Sequence, residues 1–317
     1  MTGIKVLNQT IGRNFAFYNG DSCEVLKGFK DNSIDYSIFS PPFADLYVYS
    51  DSDRDLGNCK TKSEFYEHFK FIIQELFRIL KPGRNLSFHC MDLPTSKMRD
   101  GFIGLTDFPG ELIKMFQDAG FIYHSRVIIW KDPVVAMQRT KSIRLLHKQL
   151  KKDSSISGNG IADYLITMRK PGDNQNPIQH TNESYPVELW QEIASPIWYT
   201  EEQQEDVSLR YQTYCWFDIN QSNTLQKDSA RDEKDEKHIC PLQLDVIEKA
   251  IGLWTNPGDI VLTPFGGIGS EGYQAVKMGR KAILIELKAS YYKQGSMNLL
   301  NAEKIQPLSI FEVLEDE

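Results

Sequence analysis

The feature that most narrows the fold of this chain is Asp259-Ile260-Val261-Leu262-Thr263-Pro264-Phe265-Gly266-Gly267-Ile268-Gly269-Ser270, together with the helix and strand after it. A short apolar run, read as a buried strand, enters a turn with three glycines and leaves it as a helix over 271–278. A second strand over 281–285 then delivers Glu286, seventeen residues beyond Gly269. Glycine lets the backbone pass close to a ligand, and a helix N-terminus presents free N–H groups and the positive end of a dipole. With an acid placed to accept from ribose hydroxyls, this is the layout of a nucleoside-type cofactor site on an α/β sheet. The competing reading is a tight turn that only packs helix on sheet.

The rest of the chain fits such a sheet. Strand-like runs at 14–18, 34–39, 85–90, 122–130 and 164–168 alternate with amphipathic stretches at 63–80, with Ser63 as N-cap, and at 109–119. Helices are also expected over 242–254 and 290–302. No convincing strand follows Glu286, so the N-terminal strand ending at Asp21 supplies the third member beside the glycine-turn pair. Asp21, Ser40, Gly267 and Glu286 then share one sheet edge. The stretch 171–237 differs, being rich in Asn, Gln, Glu and Asp with isolated aromatics, and is read as an irregular insertion. The division expected is 1–170 for the catalytic part, 171–237 for the insert and 238–317 for the cofactor-binding part of the same domain.

Bulk properties exclude several classes. At 317 residues the chain can bury one large core, and no apolar run approaches the roughly 20 residues of a membrane span. The N-terminus lacks the apolar core of a signal peptide, so a cytoplasmic, prokaryotic or phage-encoded protein without membrane association is expected. Five scattered cysteines show neither a disulfide framework nor zinc spacing. The net charge of −7 argues weakly against nucleic acid, but its distribution matters more. Between Lys131 and Lys170 stand nine Lys/Arg against three Asp, whereas between Glu201 and Cys240 ten acids face five bases. The local positive stretch, with Arg139, Lys141, Arg144, Lys148, Lys151 and Lys152, is a candidate for DNA phosphates. Lys141, Arg144 and Lys148 stand at helical spacing and would share one face; an ordinary solvated face is the bland alternative.

A second motif, Ser40-Pro41-Pro42-Phe43, closes the 34–39 strand. Adjacent prolines fix φ and remove two N–H donors, which makes a rigid loop. It lies outside the carboxyl end of a strand, where open α/β sheets bind ligands. A serine hydroxyl and a proline carbonyl form a pair of acceptors for an NH2 group, and Phe43 offers a face to a flat ring. Standing alone, such a tetrapeptide is more often just a turn.

Taken with Pro264–Gly269, Ser40-Pro41-Pro42-Phe43 resembles the catalytic and cofactor motifs of the amino-methylating DNA methyltransferases. The order, catalytic motif before glycine motif, resembles that family's β group. The resemblance implies a Rossmann-like, circularly permuted methyltransferase sheet with S-adenosyl-L-methionine as cofactor. It places Asp21 on the cofactor's adenine, Pro264, Phe265, Gly266, Gly267, Gly269 and Ser270 around its centre, Glu286 on its ribose, and His238 and Cys240 near its methionine end. Ser40 and the Pro41 carbonyl would hold the amino hydrogens of a base flipped from double-stranded DNA, Pro42 stiffening the loop and Phe43 stacking. Serine before Pro-Pro points to cytosine N4 over adenine N6. The absence of a Pro-Cys pair excludes the covalent carbon-5 mechanism. One departure is Thr263, where the family usually has Asp.

The amide-rich segment 174–223 is the candidate for reading base edges. His68, His89, His124, His147 and His180 show no ligand spacing and are read as structural or surface residues. A cognate restriction endonuclease and a monomer or homodimer both stay open as partnerships. Methylation of RNA or protein, and an inactive DNA binder, are the competing functions.

Overall fold

In a computed structural model of the protein, the residues described are 6–42, 62–131, 133–140, 142–198, 219, 223–225 and 242–305. Strands β1 (Asn8–Ile11) and β2 (Phe15–Asn19), the single turn α1 (Ser22–Val25) and strand β3 (Tyr36–Phe39) come first. Helix α2 (Lys62–Ile79) and strand β4 (Asn85–Met91) precede a small hairpin of β5 (Leu93–Pro94) and β6 (Leu105–Thr106) around α3 (Lys97–Asp100). Next are α4 (Phe108–Asp118), β7 (Ile122–Ile129), α5 (Pro133–Thr140), α6 (His147–Lys152), β8 (Asp163–Arg169), α7 (Val187–Ile193) and β9 (Ile197–Trp198). Helix α8 (Leu244–Trp254), β10 (Ile260–Thr263), α9 (Ser270–Lys277), β11 (Lys281–Glu286) and α10 (Ala289–Ile305) complete the described chain.

The main sheet runs β1-β2-β11-β10-β3-β4-β8-β7-β9. Strands β2, β11, β10, β3 and β4 are mutually parallel, while β8 is antiparallel to both β4 and β7. Central strands such as β3 and β4 are buried along their whole length, as parallel strands covered on both faces must be. On one face, Phe65, Phe69, Ile72, Ile73 and Leu76 form the buried stripe of α2, packed with Leu112 and Phe116 of α4 against Leu86 and Phe88. The other face carries Val246, Ile247, Ala250 and Ile251 of α8 with Ala275 and Val276 of α9. The strands that carry the glycine turn come last in the chain yet lie between β2 and β3, which come first.

The amino ends of the central strands are tied by one buried cation. Arg84, just before β4, is 1% exposed; it donates to the Asp35 carbonyl at 2.9 Å and pairs with the Asp259 carboxylate. Asp35 precedes β3 and accepts from the Ile260 N–H at 3.0 Å, and Asp259 precedes β10 and accepts from the Asn256 N–H at 2.8 Å. Arg84 therefore joins the starts of β4, β3 and β10.

Several boundaries differ from the sequence reading. Ser63 lies inside α2 and is not its cap. The stretch after Pro171 is not wholly irregular: α7 forms, and β9 pairs in parallel with β7 at the sheet edge, Trp198 being buried. Two residues of strand in a polar setting give too little alternation to be read from sequence. The expected face of Lys141, Arg144 and Lys148 does not form either. Lys141 lies outside the described residues, Arg144 sits in a 3₁₀ turn, and Lys148 belongs to α6. Leu146, at φ −82° and ψ 123°, is extended between the two and resets the helical phase.

Replacing Arg84 by Ala strands two buried carboxylates. A loss of about 3–5 kcal/mol is expected, read as a lower urea midpoint at an unchanged slope.

Candidate active site

At the opposite, carboxyl end of the sheet, β10 ends in the glycine turn. Gly266 passes so close to the neighbouring strand that a Cβ would stand 2.9 Å from the Phe17 ring and 3.2 Å from the Ile285 carbonyl. Its N–H donates to that carbonyl at 2.7 Å. Gly267 and Gly269 take φ values of +50° and +87°, which L side chains rarely adopt, and Gly269 caps α9. A Cβ on Gly267 would meet nothing within 4 Å, so the turn opens onto space there. The Phe265 ring is packed inward, 5.8 Å from Phe39 and 6.1 Å from Phe69, and so anchors the turn to the core. The Pro264 carbonyl accepts from the Ser22 hydroxyl, tying the turn to α1.

Two carboxylates flank the turn. Glu286, at the end of β11, accepts the Gly267 N–H through Oε2 and the Lys288 N–H through Oε1, each at 2.8 Å. Each oxygen keeps acceptor capacity for a hydroxyl. Asp21, after β2, caps α1 by accepting the Cys23 N–H at 2.9 Å. The β2 and β11 ends are stitched together by Gly20 N–H and Asn19 Nδ2, which donate to the Glu286 carbonyl at 3.0 and 2.8 Å. Thr263 Oγ1 and Ser270 Oγ, on either side of the turn, are buried with no hydrogen-bond partner among the described residues. Buried polar atoms are normally satisfied, and two such hydroxyls beside an open glycine mark a place for a polar ligand.

Ser40 leaves β3, the strand paired with β10, so it stands beside the glycine turn. Pro41 is buried and Pro42 half-buried; Phe43, like the stretch up to residue 61, lies outside the described residues. The Ser40 hydroxyl is 3.2 Å from His89 Nδ1, and His89 Nε2 is 2.7 Å from Asp163 Oδ2. Lys131 pairs with the same carboxylate. Burial works against the charge of Asp163, yet Lys131 and His89 together hold its carboxyl well below the usual range. Sequence reading left His89 among the structural histidines and did not single out Asp163 or Lys131. Only the β4–β8 pairing brings His89 and Asp163 together.

The sheet edge thus gathers Asp21, Ser40, Pro264, Gly266, Gly267, Gly269, Ser270 and Glu286. His238 and Cys240 lie outside the described residues. Of the basic stretch, Lys148, Lys151 and Lys152 are exposed. The Arg144 guanidinium instead packs against Gly158, with Nη1 buried. For Arg139 the structure places only the backbone, in α5. No group of three or more His, Cys, Asp or Glu able to hold a metal occurs among the described residues. None of their helices is long and apolar enough to cross a membrane.

A doubly wound sheet with a glycine turn, a carboxylate on the next strand and a rigid polar loop two places away defines a nucleoside-cofactor enzyme of the α/β class. The chain belongs to the DNA methylase family, N6/N4 class, whose family pattern it matches over residues 34–297. That family uses S-adenosylmethionine. The chain is 38% identical over 66 residues to the Type II methyltransferase M1.MboII of Moraxella bovis, covering 21% of this chain and 25% of that protein. It is 43% identical over 64 residues to the DNA adenine methyltransferase YhdJ of Escherichia coli, covering 20% and 22%. These alignments span a quarter or less of either relative. Among solved structures, the modification methylase TTHA0409 of Thermus thermophilus, complexed with S-adenosyl-L-methionine, superposes with a TM-score of 0.63 at 21% identity, over 92% of this chain and 94% of that one. The cytosine-N4-specific PvuII DNA methyltransferase gives 0.61 at 18% identity, over 93% and 91%. At such identities the likeness establishes the fold.

In the first turn of α9, burial pushes the Glu271 carboxyl up from 4.5 to about 7. A carboxyl whose folded value is raised stabilises the fold below its unfolded value, and that contribution is lost as pH rises through about 7. Glu271→Gln is expected to gain on the parent protein as pH goes from acid to alkaline, by up to ~3 kcal/mol in denaturant unfolding.

Proposed function

We propose that this protein transfers a methyl group from S-adenosylmethionine to the exocyclic N4 of cytosine in double-stranded DNA, after the base has been turned out of the helix. The observation that carries the reading is the Ser40 hydroxyl: it stands at the carboxyl end of β3, beside the glycine turn, on a proline-stiffened loop. The donor set fits the cofactor. Glu286 suits ribose hydroxyls, Asp21 an adenine amino group, and the unpartnered Thr263 and Ser270 hydroxyls suit the polar centre that Gly267 leaves open. Bound there, S-adenosylmethionine supplies an electrophilic methyl group. Ser40 Oγ and the Pro41 carbonyl accept the two amino hydrogens and draw the nitrogen lone pair out of conjugation with the ring. Much of the rate then comes from holding the reactants in line. The order of motifs supports the circularly permuted form of the fold, and Thr263 makes the cofactor's ammonium depend on other acceptors.

Lys148, Lys151 and Lys152 serve phosphates, together with Arg139 and Lys141. Arg144, packed on Gly158, has a lesser part. The segment 174–223 is proposed to read base edges. The Type II name of one relative supports pairing with a restriction endonuclease.

Incubation with labelled cofactor and unmethylated duplex, followed by digestion to nucleosides, is expected to yield N4-methylcytosine. N6-methyladenine, the target in the name of the E. coli relative, would move the assignment to the other amino base. Ser40→Ala is expected to lower the single-turnover rate by about 100-fold while cofactor affinity, measured by calorimetry, is kept. Glu286→Ala is expected to weaken cofactor binding about 10- to 100-fold. Joint replacement of Lys148, Lys151 and Lys152 by Ala is expected to weaken binding about equally for all DNA sequences, with a shallower salt dependence.

A further inference from the structure

Ser40 is the outer end of a hydrogen-bonded chain that runs into the sheet. His89 is 7% exposed and Asp163 1%, and they face each other from neighbouring strands β4 and β8. The Lys131 ammonium closes the chain from beyond β7. By strand alternation Arg126, Tyr164 and Cys90 point to the other face of the sheet, where Tyr164 also meets Asp92 at 3.3 Å. The charged groups on the His89 side are therefore Asp163 and Lys131.

The protons follow from this arrangement. An ionised carboxylate only accepts, so the His89 nitrogen facing Asp163, Nε2, must carry hydrogen. Asp163 and Lys131 already balance, and a proton added to the ring would leave net positive charge in a buried cluster. The ring is then neutral with a bare Nδ1. Ser40 donates its own hydrogen to that nitrogen and keeps its lone pairs for an incoming donor.

We propose that His89, oriented by Asp163 and Lys131, is a positioning residue that makes Ser40 an acceptor toward the amino group and receives, through Ser40, the proton this group gives up. The inference rests on the amino-methylation reading. In the step, the N–H bond of the methylated nitrogen breaks and its electron pair stays on nitrogen. The proton joins Ser40 Oγ while the serine's own proton passes to His89 Nδ1. Ser40 ends as it began, and the ring becomes an imidazolium against Asp163. Loss of that proton to water restores the neutral ring.

Two measurements test this. In the cofactor-free protein with ¹⁵N-labelled histidine, the His89 signals at neutral pH are expected to be those of the neutral, Nε2-protonated form, with Nδ1 shifting in Ser40→Ala. A ring protonated at Nδ1 overturns the proposal. In single turnover, His89→Asn offers an amide acceptor near the Nδ1 position but no proton acceptor. Its rate is expected to fall about 100-fold or more, with cofactor Kd and DNA KM within about threefold of the parent. The parent's rate is expected to fall on the acid side, because an imidazolium cannot take Ser40's proton, and His89→Asn is expected to lack that fall. A His89→Asn protein with the parent's rate and pH profile overturns the proposal and leaves the proposed function standing. A parent that methylates no DNA overturns both. Should His89→Asn fail to fold, the ring signals of the parent decide.

Discussion

The structure depends on keeping the starts of three parallel strands level while a charge is buried among them. Arg84 does this from inside the protein, holding Asp35 and Asp259 and reaching the Asn176 carbonyl at 3.1 Å. Its desolvation is offset because the guanidinium fork matches several acceptors in fixed directions. Parallel strands that begin in register and are of similar length also end in register. The placement of Ser40 beside Pro264 and Gly267 is thus set at the far end of β3 and β10, a whole strand length away.

The same sheet uses buried charge twice, for different ends. Around Arg84 the paired groups sit at strand starts and hold the sheet together. Around Asp163 the cluster ends in a half-buried serine at the loop that the proposed base would enter. Both follow one electrostatic rule: ionised groups inside a protein persist where they are paired and hydrogen-bonded. The difference lies in which end of the strands they occupy, since open α/β sheets bind ligands at the carboxyl end.

Much of this was legible in the sequence because it is local. The run 259–270 contains its own strand, turn glycines and helix start, and Glu286 follows at a spacing that one strand and one helix dictate. Ser40–Phe43 declares a rigid loop through its prolines. His89 and Asp163 are 74 residues apart and meet only through the β4–β8 pairing, so neither carried a local signal. His89 also sits in a fully buried strand, where a lone histidine reads as ordinary packing. In the basic stretch the spacing of Lys141, Arg144 and Lys148 matched a helix, but periodicity is blind to one extended residue, Leu146. The strand at Ile197–Trp198 was hidden for the opposite reason: it is too short to show any period.

That short strand bears on how such proteins diversify. Trp130 N–H bonds to the Trp198 carbonyl at 2.9 Å, and Ile128 N–H to the Pro196 carbonyl at 2.8 Å, so the chain leaving β8 returns to complete the sheet that it left. A recombination junction placed at Lys170, where composition changes, would strip β7 of its neighbour and uncover Val127 and Ile129 to water. A junction beyond Trp198 leaves the sheet whole. Gene exchange among relatives can therefore shuffle the chain past this edge strand far more freely than the chain before it.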